Sequence, residues 1–168
     1  LIFILCLVPF EGTSQIPLPE HPRPDFKRPM WENLNGVWDF KFDQENQGLN
    51  KKWYLSDNLK FDKKIIVPFS WGSKLSKIED EANIGWYSRK INVSSDWKKK
   101  MTYVTIGASD WETTLWLDGK LIGKHQGGYV PFSFDLTPHI KYGLDQVLTI
   151  RVDDDAGDPN KFKRGYAL

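Results

Sequence analysis

The chain reads as an all-β sandwich, and three observations lead there. From Glu112 to Leu117, Thr113, Leu115 and Leu117 alternate with Thr114 and Trp116, the two-residue period of side chains facing opposite sides of a sheet. Asp118-Gly119 then stops the run, and Asp-Gly suits a type I′ hairpin turn because both central positions need positive φ. Finally, comparable short runs recur between Gly, Pro, Asn and Asp turns, and nothing long carries a helical period.

Taken in order, the chain opens on Leu1 to Phe10, LIFILCLVPF, an apolar run that stops at Glu11-Gly12-Thr13-Ser14. It is too short for a bilayer, which needs about 20 residues, and reads as the core of a signal peptide over residues 1–15. No initiator Met or basic leader precedes it, so the expectation is a chain that begins inside its signal sequence. Cys6, the one cysteine, falls in that run; a lipid-acceptor role lacks the usual small residue before it. Without Cys6 the mature domain needs no disulfide and has no thiol nucleophile. Pro17, Pro19, Pro22, Pro24 and Pro29 mark residues 16–30 as an extended linker. The globular domain is expected over 31–168.

Strands are expected at Gly36–Phe42, Lys63–Pro68, Trp86–Val93, Thr102–Ala108, Glu112–Leu117, Lys120–His125, Val130–Phe134 and Gln146–Val152. Pro131 limits the seventh to a strand start or an edge. A helical turn fits only near Leu49–Tyr54 or within Leu136–Tyr142. With 168 residues the chain suits one domain and has no room for a second, catalytic one.

Charge and motifs exclude several classes of function. Twenty-three basic residues against 22 acidic ones leave a formal net charge of +1, so no global field draws the protein to nucleic acid or an anionic membrane. Lys98-Lys99-Lys100 reads as a solvated loop, and Asn92-Val93-Ser94 matches a glycosylation sequon that matters only in a eukaryotic secretory pathway. His21, His125 and His139 lack metal-ligand spacing. There is no nucleophile elbow and no phosphate-cradling Gly-rich loop. Retaining glycoside hydrolysis needs two carboxyls about 5–5.5 Å apart, and Glu79-Asp80-Glu81 gives no ground for assigning such a pair.

Leu34-Asn35-Gly36-Val37-Trp38-Asp39-Phe40, Val67-Pro68-Phe69-Ser70-Trp71, Gly85-Trp86-Tyr87-Ser88-Arg89-Lys90, the Glu112–Thr137 stretch and the Val152–Gly165 acidic turn together resemble the N-terminal sugar-binding domain of family-two glycoside hydrolases, the group of β-galactosidases, β-glucuronidases and β-mannosidases. One departure is Asp118, where the family usually has Asn; it adds a charge at the hairpin tip. The resemblance implies a jelly-roll, galactose-binding-domain-like sandwich. It also implies a secreted or periplasmic parent, a retaining glycosidase whose two catalytic glutamates sit on a later barrel beyond an immunoglobulin-like domain. Residues 153–168 would lead toward those domains, and no catalytic residue is expected in this chain.

Asp153-Asp154-Asp155-Ala156-Gly157-Asp158 places four carboxylates in six residues, which repel unless something offsets them. It admits three readings: a solvated loop, a calcium site supplied by one oxygen-rich loop, and, by resemblance to the β-galactosidase branch, a segment whose aspartate reaches the sugar, with Asp154 and Asp158 the nearest matches. Eight Trp and 14% aromatic residues supply both core and stacking surface. Trp71, Trp86, Tyr87, Trp111, His125 and Tyr129 are the residues to weigh for a sugar, packing being the alternative for each. Of these, Trp111, His125 and Tyr129 join Asp154 and Asp158 as candidate carbohydrate contacts. Neighbours on one strand, Trp86 and Tyr87 are expected to have one ring buried and one exposed. A free-standing carbohydrate-binding module and an adhesive domain are the alternative functions.

Overall fold

The computed structural model describes residues 16–21, 23, 25, 28–56 and 59–154. Residues 1–15, with the expected signal peptide and Cys6, lie outside them, as do Asp155 to Asp158 and Arg164-Gly165.

Among the described residues eight strands follow one another: β1 Gly36–Phe42, β2 Lys63–Val67, β3 Ile84–Asn92, β4 Tyr103–Ile106, β5 Glu112–Leu117, β6 Lys120–Gln126, β7 Phe132–Asp135 and β8 Asp145–Asp153. Each coincides with an expected strand to within two residues at either end. A six-stranded antiparallel sheet runs β2-β1-β3-β8-β5-β6, and β4 pairs with β7 in a second, two-stranded sheet. Pro131 immediately precedes β7, at the strand start its missing N–H favours. The expected helical turns are single turns, with Lys51 N–H donating to Gln47 O at 2.9 Å and Ile140 N–H to Leu136 O at 2.9 Å. Short 3₁₀ helices at Lys74–Ser76 and Ser95–Trp97 were not foreseen; Ser73 and Ser94 cap them by accepting from Leu75 N–H and Asp96 N–H.

The main core fills the space between the two sheets. Phe40, Tyr87, Ile150 and Leu115 project into it from the large sheet, met by Val104 and Ile106 of β4 and Phe134 of β7. Cross-strand register aligns the layer, since Tyr87 opposes Ile150, which in turn opposes Leu115. The far face of the large sheet is covered as well. There Trp86 and Trp116 stack at 5.4 Å between centroids, Trp53 meets Trp86 edge-on at 5.9 Å, and Leu59 and Ile84 complete the layer.

This second layer corrects one expectation. Trp86 and Tyr87 do point to opposite faces, yet both are 0% exposed, because the loop carrying Trp53 and Leu59 closes over the face that alternation assigned to solvent. Trp71 is also core, 2% exposed and packed against Phe40 at 5.9 Å. The three rings serve packing.

The hairpin turn adopts its expected geometry, with φ of 47° at Asp118 and 76° at Gly119, the positive pair of type I′. The added charge does not stand free at the tip. Asp118 accepts from Val147 N–H at 2.9 Å, Gln146 Nε2 at 2.9 Å and Lys141 Nζ at 3.2 Å, tying the hairpin to β8 and to the loop before it. Partial burial would raise its pKa, but these hydrogen bonds and the Lys141 charge outweigh that and hold it below the ordinary value. At the same strand end but across the sheet, the Pro-rich segment rests on the strand-entry loop, where Asn33 and Asn35 donate to Leu18 O at 2.9 Å and Pro17 O at 3.1 Å.

Two expected outcomes follow from these contacts. Tyr87 is fully buried and its hydroxyl has no partner among the described residues, so Tyr87→Phe should raise the unfolding free energy by roughly 1–3 kcal/mol in urea denaturation. Burial also pushes the Tyr87 pKa well above 10.0. Below about pH 10 the phenol is neutral folded or unfolded; above it only the unfolded chain ionises freely, so the wild type loses stability there and the Phe variant loses less. For Asp118 the sign is opposite: a depressed folded pKa stabilises above the unfolded value and that contribution fades as pH falls through the folded one. Asp118→Asn should therefore have the lower denaturation midpoint at pH 7, the gap narrowing as pH falls below the ordinary carboxylate range.

Candidate functional site

The candidate residues converge at one end of the large sheet, where β5 begins and β6 and β8 end. Backbone hydrogen bonds fix the meeting: Trp111 N–H donates to Asp153 O at 3.2 Å, Gly127 N–H donates to Trp111 O at 2.8 Å, and Asp154 N–H donates to Asn83 O at 2.7 Å. Trp111 thus sits between the ends of the two strands flanking β5. Its side chain is 40% exposed, and Tyr129, just past the glycine pair, is 67% exposed. Asp154 is half-buried beside them. His125, opposite Thr113 in the β5–β6 ladder, stacks on Phe132 with centroids 3.8 Å apart and planes 14° from parallel. Four candidates, Trp111, His125, Tyr129 and Asp154, therefore share one end of the fold, while Asp158 lies outside the described residues.

Charge at this end is organised around a buried arginine. Arg151 is 2% exposed and donates to Asp153 Oδ2 at 2.6 Å and Asn46 Oδ1 at 3.0 Å, with Glu112 at 3.7 Å. Glu112 also receives Lys124 Nζ at 2.7 Å and Gln126 Nε2 at 2.9 Å. Burial works to raise the Glu112 pKa, but the hydrogen bonds from Lys124 and Gln126, with the Lys124 and Arg151 charges, bring it below the ordinary value. The cross-strand network holds the start of β5 against the ends of β6 and β8.

The residue that sequence reasoning missed is Asp110. It is 2% exposed, and its Oδ2 has no hydrogen-bond partner among the described residues. Gly128 lies over it so closely that a Cβ there would fall 2.6 Å from Oδ1. The signal was present in Asp110-Trp111 directly before a strand and Gly127-Gly128 directly after its partner, but the glycines read as freedom of conformation rather than room for a carboxylate.

The first residue of the acidic turn, Asp153, is engaged by Arg151, and the rest of that turn lies beyond the described chain apart from Asp154. Among the described residues no group of three or more His, Cys, Asp or Glu side chains is placed to hold a metal ion. Among them, too, no helix is long and apolar enough to cross a membrane.

Comparison with known proteins adds a family. Residues 31–157 match the sequence profile of the glycosyl hydrolases family 2, sugar binding domain. A β-glucuronidase of Paenibacillus borealis is 27% identical over 128 residues, covering 73% of this chain and 21% of its own length. A β-galactosidase of Thermoanaerobacter pseudethanolicus is 28% identical over 126 residues, covering 73% of this chain and 15% of the relative. The chain thus spans about a fifth or less of those two relatives' length. The solved structure of a β-glucuronidase from Ruminococcus gnavus superposes with a TM-score of 0.66 at 24% identity, over 73% of this chain and 21% of that one, which establishes the shared fold.

The close approach of Gly128 gives a direct check. Gly128→Ala should destabilise the chain by roughly 1–3 kcal/mol through overpacking. Asp110→Ala should relieve most of that loss in a double-mutant cycle read by urea denaturation.

Proposed function

The chain belongs to glycosyl hydrolase family 2 as its sugar binding domain, and from that premise we propose that it is the non-catalytic N-terminal domain of a secreted or periplasmic retaining β-glycosidase. Its role is to buttress a catalytic barrel carried by the same polypeptide and to supply one edge of the sugar site. The single observation that carries this reading is the convergence of Trp111, His125, Tyr129 and Asp154 at the end of the sandwich where β8 delivers the chain into its acidic turn. An aromatic ring stacks on the apolar face of a pyranose, and imidazole and carboxylate groups bind its hydroxyls. The Leu1–Phe10 apolar run supports the exported location.

Fold alone does not decide function, so the deciding experiment looks beyond the domain. Sequencing the gene across both ends should show a reading frame that continues past Leu168 into a barrel with two glutamates at strand ends. The full-length product should cleave a nitrophenyl β-glycoside that the 168-residue chain leaves intact. A stop codon soon after Leu168 would overturn the proposal in favour of a free-standing carbohydrate-binding module.

A further inference from the structure

At the end of the sandwich opposite the candidate site, two connections are stitched together: residues 93–102 between β3 and β4, and 136–144 between β7 and β8. Gly143 N–H donates to Val93 O at 2.7 Å, and the Tyr142 hydroxyl donates to Lys100 O at 3.1 Å. Trp97 anchors the first connection against the core. Around it the backbone closes in successive turns, with Lys98 N–H donating to Ser95 O at 3.1 Å and Lys100 N–H to Trp97 O at 3.0 Å. This ordered turn exposes Lys98, Lys99 and Lys100, none of which has an ion-pair partner among the described residues. Next along the chain, Met101 is 67% exposed and receives the Tyr103 hydroxyl on its Sδ at 3.7 Å; Leu144, just past Gly143, is 58% exposed.

Singly exposed apolar residues are ordinary, but unpaired cations bordered by exposed apolar side chains have the composition of a lipid-interface contact. Ammonium groups meet headgroup phosphates there, while apolar groups enter the boundary with the acyl chains. The acids at this end are largely matched. Asp118 faces Lys141 and Asp145 faces Lys90, which leaves Asp96 and Asp135 against Lys98, Lys99, Lys100 and Lys120. With a formal net charge of +1 the chain has no long-range pull, so the attraction is local, acting within a Debye length of about 8 Å at physiological salt. The candidate end has the other sign, since Glu79, Asp80, Glu81, Glu112, Asp153 and Asp154 gather there and Lys63, Lys124 and Arg151 only partly offset them. We propose that the Lys98–Met101 turn, with Leu144 beside it, docks the domain on an anionic lipid bilayer. Attraction at this end and repulsion at the acidic one orient the domain, so that its candidate sugar site faces away from the lipid. The surface plays no part in the carbohydrate-binding reading.

Co-sedimentation of the 168-residue chain with phosphatidylcholine vesicles, and with vesicles containing about one third phosphatidylglycerol, tests the docking. Binding through the Leu1–Phe10 apolar run does not depend on lipid charge, so the ratio between the two vesicles reads the basic end. The anionic vesicles should bind at least about tenfold more strongly at low salt, and the preference should vanish near 1 M salt. Lys99→Gln with Lys100→Gln should weaken anionic binding about tenfold, and Met101→Ser about threefold. Lys74→Gln with Lys77→Gln removes the same charge from the connection between β2 and β3 and should stay within about twofold of wild type. All the substituted side chains are exposed, so melting temperatures should not move. Equal binding to the two vesicles, a preference unchanged in the Lys99/Lys100 variant, or an equal loss in the Lys74/Lys77 variant would overturn the proposal. So would a chain that ignores both vesicles yet binds soluble dextran sulfate, which would assign the lysines to a polyanion in solution.

Discussion

Burial of the large sheet on both faces is the constraint on which the rest of the molecule depends. An antiparallel sheet commonly shows one face to water, but here the interior strands β3, β5 and β8 carry apolar residues toward the smaller sheet and toward the Trp53 loop alike. Trp86 and Trp116 on the outer face pack as tightly as Tyr87 and Leu115 on the inner one. Polar residues admitted to that outer layer need partners. Arg151, opposite Trp86, has Asp153, Glu112 and Asn46 meeting its terminal nitrogens, while its Nε has no partner among the described residues. Removing one of those partners would leave charge stranded in a region without water.

The same packing explains why the candidate site occupies an end of the sandwich. With the faces of the central strands covered, concave and polar surface arises where strands stop and connections begin. The β5 entry, the β6 exit and the β8 exit meet there through a few backbone hydrogen bonds. The Arg151 network holds the strands in register just inside the site, so side chains on loops are carried by a rigid base.

How much of this was legible follows from which signals are local. The strands were readable because alternation and turn chemistry act over a handful of residues: Asp118-Gly119 dictates its own hairpin, and Pro131 sets the start of β7. The jelly-roll class came from the family resemblance carried by such motifs in order. Trp86 and Tyr87 were misjudged because alternation reports which face a residue takes, not whether a distant loop covers that face. Asp110 was passed over for the same reason, since its meaning depends on Gly128 crossing above it from another segment. The gathering of Trp111, His125, Tyr129 and Asp154 could be suspected from the resemblance but depends on pairings between strands far apart in sequence.

The order of the strands has a further consequence. In the large sheet β8 lies between β3 and β5, so the last of the described strands is the one that joins the two halves. While the polypeptide emerges from the ribosome, β1 to β3 and the β5–β6 hairpin can each form, but each shows an unpaired edge until residues 145–153 arrive. Between the appearance of the β5–β6 hairpin and that of β8 the nascent chain holds two half-sheets with a vacancy between them. Any strand that enters the vacancy early, from this chain or a neighbouring one, competes with the strand meant for it.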